Sequence, residues 1–451
     1  MPVHEGLYQA SLDNRSFRLV TLKPGLARDA VHVELTCHDM SNSPQYDAIS
    51  YVWGHHGTMS QIFCNGTPTH VRPNLLWVLR RMRHPSQPRT LWIDALCINQ
   101  NDHAERSLQV TIMGDIYSRA KHVFACIGDD PDGGASDVAS LLKGNLEDPQ
   151  QSDFDPRWVS LGVLLRQPWF SRAWVLQEVG LSQDPKVIYG NVKFRYRDLM
   201  ELVLWVQRNA QWILSKADIS SLLIHTNWYD WSSRGLKSSP SSSLRGNQDY
   251  EFLDLLDHAS ILECQDPRDH VYAFLSHPLA QKRRLNSSDR ALITPDYRKS
   301  VIDVFKDVSV YLLEQSGLRT LSSVEHNESS IGAHFPSWVI RWDIGHVMNN
   351  MDRFPRHPPL YRADTEHKDV ASSVLASKKS NSQISFVDII FSYMFSNRFT
   401  PAHVLYEGLL EVQHMLTKAL TREMTEKPSQ LNIDDQFTSI DNIELSRQTI
   451  K

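Results

Sequence analysis

Few residues in this chain have the types and spacing to do chemistry. Asp94 follows Leu91, Trp92 and Ile93, a short apolar run that suits a strand buried on both faces and delivering a carboxylate to its C-terminal end. Open α/β sheets place their chemistry at that end, although an aspartate there also caps the turn that follows. Asn99 and Gln100, just downstream, either line the same pocket or order the loop before the next helix. Cys97, with His103 or His55 close in sequence, would serve a cysteine hydrolase if its thiol pKa were lowered and an imidazole came within reach; a small buried thiol is the competing reading. Glu178 falls four residues after Trp174, so the carboxylate and the indole share a helix face. Its plainest use is to tie that helix to an arginine or a backbone amide. The adjacent pair His55-His56 lacks helical metal-site spacing, and no metal site is readable. Dinucleotide-binding, P-loop, zincin and serine-hydrolase signatures are absent.

The elements that must position these groups follow from the apolar pattern. Asp102 with Glu105 has the form of a capping box, and Ala104, Leu108, Ile112, Ile116 and Ala120 recur at four-residue spacing, which predicts one buried helix face. Val123 to Ile127 is a second apolar run ended by Gly128, so the strands on either side of this helix are expected to be parallel neighbours joined by a right-handed crossover. Tyr46 to Trp53 reads as a central strand. Ile62 to Cys64 followed by Asn65-Gly66 reads as a hairpin, and Pro73 opens a helix with Leu75, Leu79 and Met82 on one face. Val31 to Thr36 alternates as an edge strand would. Further on, Ser171 is the expected N-cap of a helix ending at Gly180, Lys186 to Tyr189 a strand, and Asp198 to Leu214 a long helix.

At 451 residues the chain has room for two or three domains. A net charge of -5 gives none of the basic field that a nucleic-acid partner requires. Five cysteines, an odd number without a C-x-x-C pair, argue for reduced thiols and a cytoplasmic setting. The amino terminus lacks the basic and apolar regions of a secretory signal, and no run approaches the ~18 apolar residues of a membrane span.

Three ordered blocks then carry a resemblance: Tyr46-Asp-Ala-Ile-Ser-Tyr-Val-Trp-Gly54, Trp92-Ile-Asp-Ala-Leu-Cys-Ile-Asn-Gln100 with the helix after it, and Arg172-Ala-Trp-Val-Leu-Gln-Glu178. In these the chain resembles the fungal heterokaryon-incompatibility (HET) domain family. Asp266-Pro-Arg-Asp269 and Phe335-Pro-Ser-Trp338 resemble segments that often follow that domain. The first block is also similar to the first strand of TIR domains, and Trp174 to Glu178 to their tryptophan-to-glutamate helix motif.

The resemblance implies an α/β fold: a parallel-sheet, flavodoxin/TIR-like N-terminal domain with helices on both faces, followed by a mainly helical C-terminal region. The expected organisation is an N-terminal extension with the edge strand (1–45), a HET core (46–190), a helical extension (191–231), a Ser-rich linker (232–247), a mainly helical region (248–345) and a divergent C-terminal region (346–451). It further implies a role in non-self recognition and programmed cell death. NAD would be a substrate rather than a bound cofactor, with Glu178 as catalytic carboxylate and Asp94, Tyr51, Trp174, Gln177, Asn99 and Gln100 around the substrate. Self-association and an unidentified protein partner or sensor are the expected partners. A non-catalytic module recruiting partners through the sheet edge and helix faces is the alternative. A cleft shared by Asp94 and Glu178 would favour turnover; Glu178 buried against an arginine would favour a structural carboxylate.

Overall fold

The computed structural model describes residues 7–8, 11–26, 28–54, 57–144, 155–210, 224–226, 250–281, 293–324, 336 and 338–344. Among the described residues nine strands form one sheet: β1 (Ser16–Leu22), β2 (His32–Asp39), β3 (Asp47–Tyr51), β4 (Ser60–Cys64), β5 (Thr67–Val71), β6 (Arg89–Trp92), β7 (His122–Gly128), β8 (Lys186–Tyr189) and β9 (Val192–Arg195). Their spatial order is β5-β4-β2-β1-β6-β3-β7-β8-β9. The stretch β6-β3-β7-β8 is parallel. Around it the sheet is mixed rather than parallel throughout, because β1 runs antiparallel to both β6 and β2 and the hairpins β4-β5 and β8-β9 add antiparallel pairs.

Two expectations are corrected by this order. The strands flanking the Asp102 helix, β6 and β7, are parallel but not neighbours, since β3, buried at every position, lies between them. The segment expected at the edge lies in β2, inside the sheet between β4 and β1. Strand β1 was not expected at all. Its apolar run is interrupted by Arg18, which is 2% exposed and pairs with Glu105 at 2.5 Å.

That ion pair also explains the helix that follows. The helices up to the end of the sheet are α1 (Pro73–Met82), α2 (Asp94–Cys97), α3 (His103–Arg119), α4 (Ala135–Lys143), α5 (Arg157–Leu165), α6 (Trp174–Gly180) and α7 (Tyr196–Asn209). Asp102 caps α3 as expected, accepting from the Ala104 and Glu105 amides. Glu105 does not close a capping box; it accepts from the Asn99 amide and binds Arg18. The buried face of α3 is therefore Glu105, Gln109, Ile112, Met113, Ile116 and Tyr117, while Ala104 is exposed. The predicted stripe is rotated toward polar residues that β1 satisfies, Gln109 donating to the Ser16 carbonyl.

Helices cover both faces of the sheet. Phe124 and Cys126 of β7 pack in the cluster that includes α1 and α3, whereas the alternate residues Ala125 and Ile127 pack with α4, α5 and α7. Asn65 and Gly66 both have positive φ, which suits the tight turn joining β4 to β5. The helix expected from Ser171 instead begins at Trp174, after a 3-10 turn over Pro168–Ser171. Ser171 donates its hydroxyl back to the Pro168 carbonyl and caps nothing.

Beyond the sheet lie α8 (Phe252–Ala259), α9 (Asp269–Tyr272), α10 (Pro278–Gln281) and α11 (Val301–Ser316). Their apolar faces form a third cluster with Val110 of α3 and with Ala173 and Leu176. Val175 and Val179 belong to the second cluster and Trp174 packs against the first, so the three clusters meet around α6. The helix expected to run from Asp198 to Leu214 instead spans Tyr196–Asn209, where Ala210 leaves helical geometry as its C-cap. The Ser-rich linker, the pair His55-His56 and residues 346–451 lie outside the described residues. Among the described residues no helix is long and apolar enough to cross a membrane.

Candidate functional site

Tyr51 ends β3 and Asp94 follows β6, so adjacent parallel strands deliver a phenol and a carboxylate to the same edge of the sheet. From β3 the chain goes to β6 on one side and afterwards to β7 on the other, and such a reversal opens a crevice at the strand ends. The turn after β3 aims Trp53 at Asp94, whose Oδ2 accepts from the indole Nε1 at 2.9 Å. Gly54 makes this turn possible: its φ is +77°, and a Cβ there would lie 2.9 Å from the Asn74 amide nitrogen. Asn74 donates to the Val52 carbonyl and Arg72 to the Gly54 carbonyl, with the Arg72 guanidinium 5.5 Å from the centre of the Trp53 ring.

The other wall comes from α6 and the residues before it. Glu178 is 2% exposed, and the Arg172 guanidinium reaches its carboxylate at 3.3 and 3.5 Å. Asp94 is only partly buried, yet desolvation and then the Glu178 charge push its pKa up to about 6, against the opposing pull of Arg172, the Ala95 amide and Trp53. Burial works against the Arg172 charge, but Glu178 and Asp94 outweigh it and its pKa is raised. Burial, followed by the charge of Asp94, holds the Tyr51 phenol well above its ordinary value. The Tyr51 hydroxyl makes no hydrogen bond among the described residues, whereas the Tyr117 hydroxyl beneath the cluster donates to the Ile49 carbonyl at 3.2 Å. Glu178 is thus ion-paired with Arg172, and the charges of both bear on Asp94, the more exposed of the two carboxylates, which is pushed up to about 6. Such a group can accept hydrogen bonds from sugar hydroxyls, stabilise developing positive charge or take a proton.

Asp94, Tyr51 and Glu178 lie close enough for their charges to bear on one another, and the other expected site residues have the following surroundings. Trp174 donates its indole N–H to Asp269 Oδ2 at 3.1 Å. Gln177 is 1% exposed, and its Nε2 has no partner among the described residues. Asn99 accepts from the Asn101 amide, and Gln100 donates to the Asp94 carbonyl, so both order the loop. Cys97 is buried beneath the Ile93 amide, burial raises its thiol pKa, and His103 is exposed; the thiol is a core residue. Sequence reasoning missed Arg172 and Trp53 as parts of the site. Arg172 was nevertheless signalled as the first residue of the block that ends at Glu178.

The family model described as heterokaryon incompatibility protein (HET) matches residues 46–178, which hold Tyr51, Asp94, Arg172 and Glu178. Residues 46–178 are a HET domain. Strands β1 and β2 precede the HET domain, and β8, β9 and the helices from α7 onward follow it. A relative from Neurospora crassa, heterokaryon incompatibility protein 6, OR allele, is 25% identical, the match covering 72% of this chain and 57% of the relative. The chain therefore spans less than two thirds of that relative's length. No solved structure matches the chain.

Proposed function

We propose that this chain acts in fungal heterokaryon incompatibility and that its HET domain hydrolyses NAD at the cluster of Asp94, Arg172, Glu178 and Tyr51. The observation that carries the reading is electrostatic: Asp94, pushed up to about 6 and partly exposed beyond the end of β6, feels the charges of Glu178 and of the Arg172 that pairs with Glu178. Two carboxylates in one crevice suit the cleavage of a ribosyl bond. The C1′–N bond to nicotinamide breaks, its electron pair leaves with the pyridine nitrogen, and water adds to the cationic C1′ that the carboxylates stabilise, giving up a proton to ionised Asp94 and from there to solvent. The similarity of the Trp174 to Glu178 helix to TIR domains is the second support, and the family name and the Neurospora relative support the pathway. Cell death would follow from NAD loss.

The second reading, a recruitment module without turnover, is favoured by the burial of Glu178 against Arg172. Purified full-length protein, alone and artificially clustered, is assayed for nicotinamide release beside Glu178→Gln and Asp94→Asn. Release that both substitutions abolish without unfolding the protein supports the hydrolase. Absence of release from the clustered wild type sinks it and leaves the recruitment module.

A further inference from the structure

The motif Asp266-Pro-Arg-Asp269 lies outside the HET domain, yet it reaches the helix that carries Glu178. Asp269 is 5% exposed, and both of its oxygens are occupied: the Tyr297 hydroxyl donates to Oδ1 at 2.5 Å, while Trp174 Nε1 at 3.1 Å and Arg106 Nη2 at 3.5 Å reach Oδ2. Arg106 of α3 also approaches Asp266 at 3.4 Å and stacks 3.6 Å from the centre of the Tyr297 ring. Six residues before Asp269, Glu263 takes the backbone on both sides of Arg172, its amide donating to the Ser171 carbonyl and its carbonyl accepting from the Ala173 amide. Arg172 is thereby held in a parallel bridge to Glu263. A second seam lies along α3, where the Tyr297 amide donates to Ser107 Oγ and a Cβ on Gly114 would sit 2.4 Å from Ser276 Oγ.

We infer that Asp269 is the positioning residue of the candidate site: through Trp174 it fixes α6, with Glu263 fixing the backbone of Arg172, so that the segment after the HET domain sets the Arg172–Glu178 pair against Asp94. The inference rests on the proposed function for the importance of that pair, but not for the contacts themselves. Asp269 touches no reacting group. It accepts the indole N–H at the first residue of α6 and leaves the carboxylate four residues later free to meet Arg172. The HET domain, on this account, holds all the groups of the site without holding them in place by itself.

Amide hydrogen exchange on the full-length chain tests this with Asp269→Asn and, as a milder variant that removes only the indole donor, Trp174→Phe. The expected result is exchange at Val175–Gly180 at least tenfold faster in both variants, with protection of β3 and β7 unchanged and no additional effect when the two are combined. Unchanged protection of α6 in the folded Trp174→Phe protein overturns the inference, as does an equal loss of protection across α6, β3 and β7. Where the wild type releases nicotinamide, both variants lower kcat and leave KM in place; a fall in KM-governed affinity alone counts against positioning. A wild type without turnover removes the hydrolase reading only, and the exchange experiment still decides the role of Asp269.

Discussion

Asp94 and Asp269 both bear on α6, and burial pushes both carboxyls up to about 6, but their surroundings differ in the next largest influence. For Asp269 that influence is Arg106, a cation favouring the charged form, and the remaining lone pairs are taken by a phenol and an indole. For Asp94 it is Glu178, a like charge, and the carboxylate is left partly open. A raised pKa by itself therefore does not mark a site; a carboxylate raised by another carboxylate, with room beside it, does. Asp269 resembles the interior of any well-folded junction. Asp94 is held in an arrangement that stability alone does not favour.

The largest expected effect comes from removing the cation paired with Glu178. Arg172→Leu strands Glu178 beside Asp94 and is expected to cost roughly 3 kcal/mol in urea unfolding, most of which the added change Glu178→Leu should return. Equal costs for the single and double variants would show that the two residues are not paired. Arg106→Leu should cost less, about 2 kcal/mol, because Arg268 still serves Asp266 and hydroxyl and indole donors remain on Asp269. If it costs more than Arg172→Leu, the junction and not the crevice is the more demanding electrostatic environment, and the comparison is reversed.

A smaller effect of opposite sign is expected at Asp94. Its folded pKa lies above the unfolded value, so the folded state binds the extra proton between about 4 and 6. Stability from this group is present below that window and lost as pH rises through about 6. Asp94→Asn should accordingly stabilise the protein at pH 7.5 by about 1 kcal/mol, with the gain fading toward pH 4 in parallel chemical denaturations. A loss of stability at pH 7.5 would mean that the Arg172 attraction outweighs the Glu178 repulsion. The smallest effect is that of Trp53→Phe, which removes a donor to the ionised carboxylate and should raise the Asp94 titration midpoint by roughly half a pH unit, read by carboxyl-carbon NMR.

Much of this arrangement was legible in the sequence because it is local. The apolar run before Asp94, the Asp102 cap, the Asn65-Gly66 turn and the helix opened by Pro73 each depend on neighbours in the chain, and each is found. What escaped depends on partners far away. Strand β1 could not be recognised because Arg18 breaks its apolar run, and the counter-ion that admits it is 87 positions distant. The buried face of α3 was misjudged for the same reason, since Glu105 and Gln109 are acceptable inside only once β1 is present. Trp174 and Glu178 lie on one helix, as their spacing suggests, but spacing cannot say that the indole serves a carboxylate 95 residues later. The grouping of Asp94 with Glu178 came from family resemblance, and the Arg172 that pairs with Glu178 was overlooked because an arginine at a helix approach usually reads as solvated.

The antiparallel strand β1 also bears on how copies of this protein can meet. It covers the outer side of β6, so the parallel stretch has no bare edge there, and the sheet ends instead at β5 and β9. Strand β5 contains Pro68, which has no N–H to offer, and the four-residue β9 carries Lys193 and Arg195. Both termini of the sheet are thus blunted against the addition of another strand. Among the described residues, the sheet therefore gives a second copy little to extend, and contacts made through helices and loops would separate without unzipping its core.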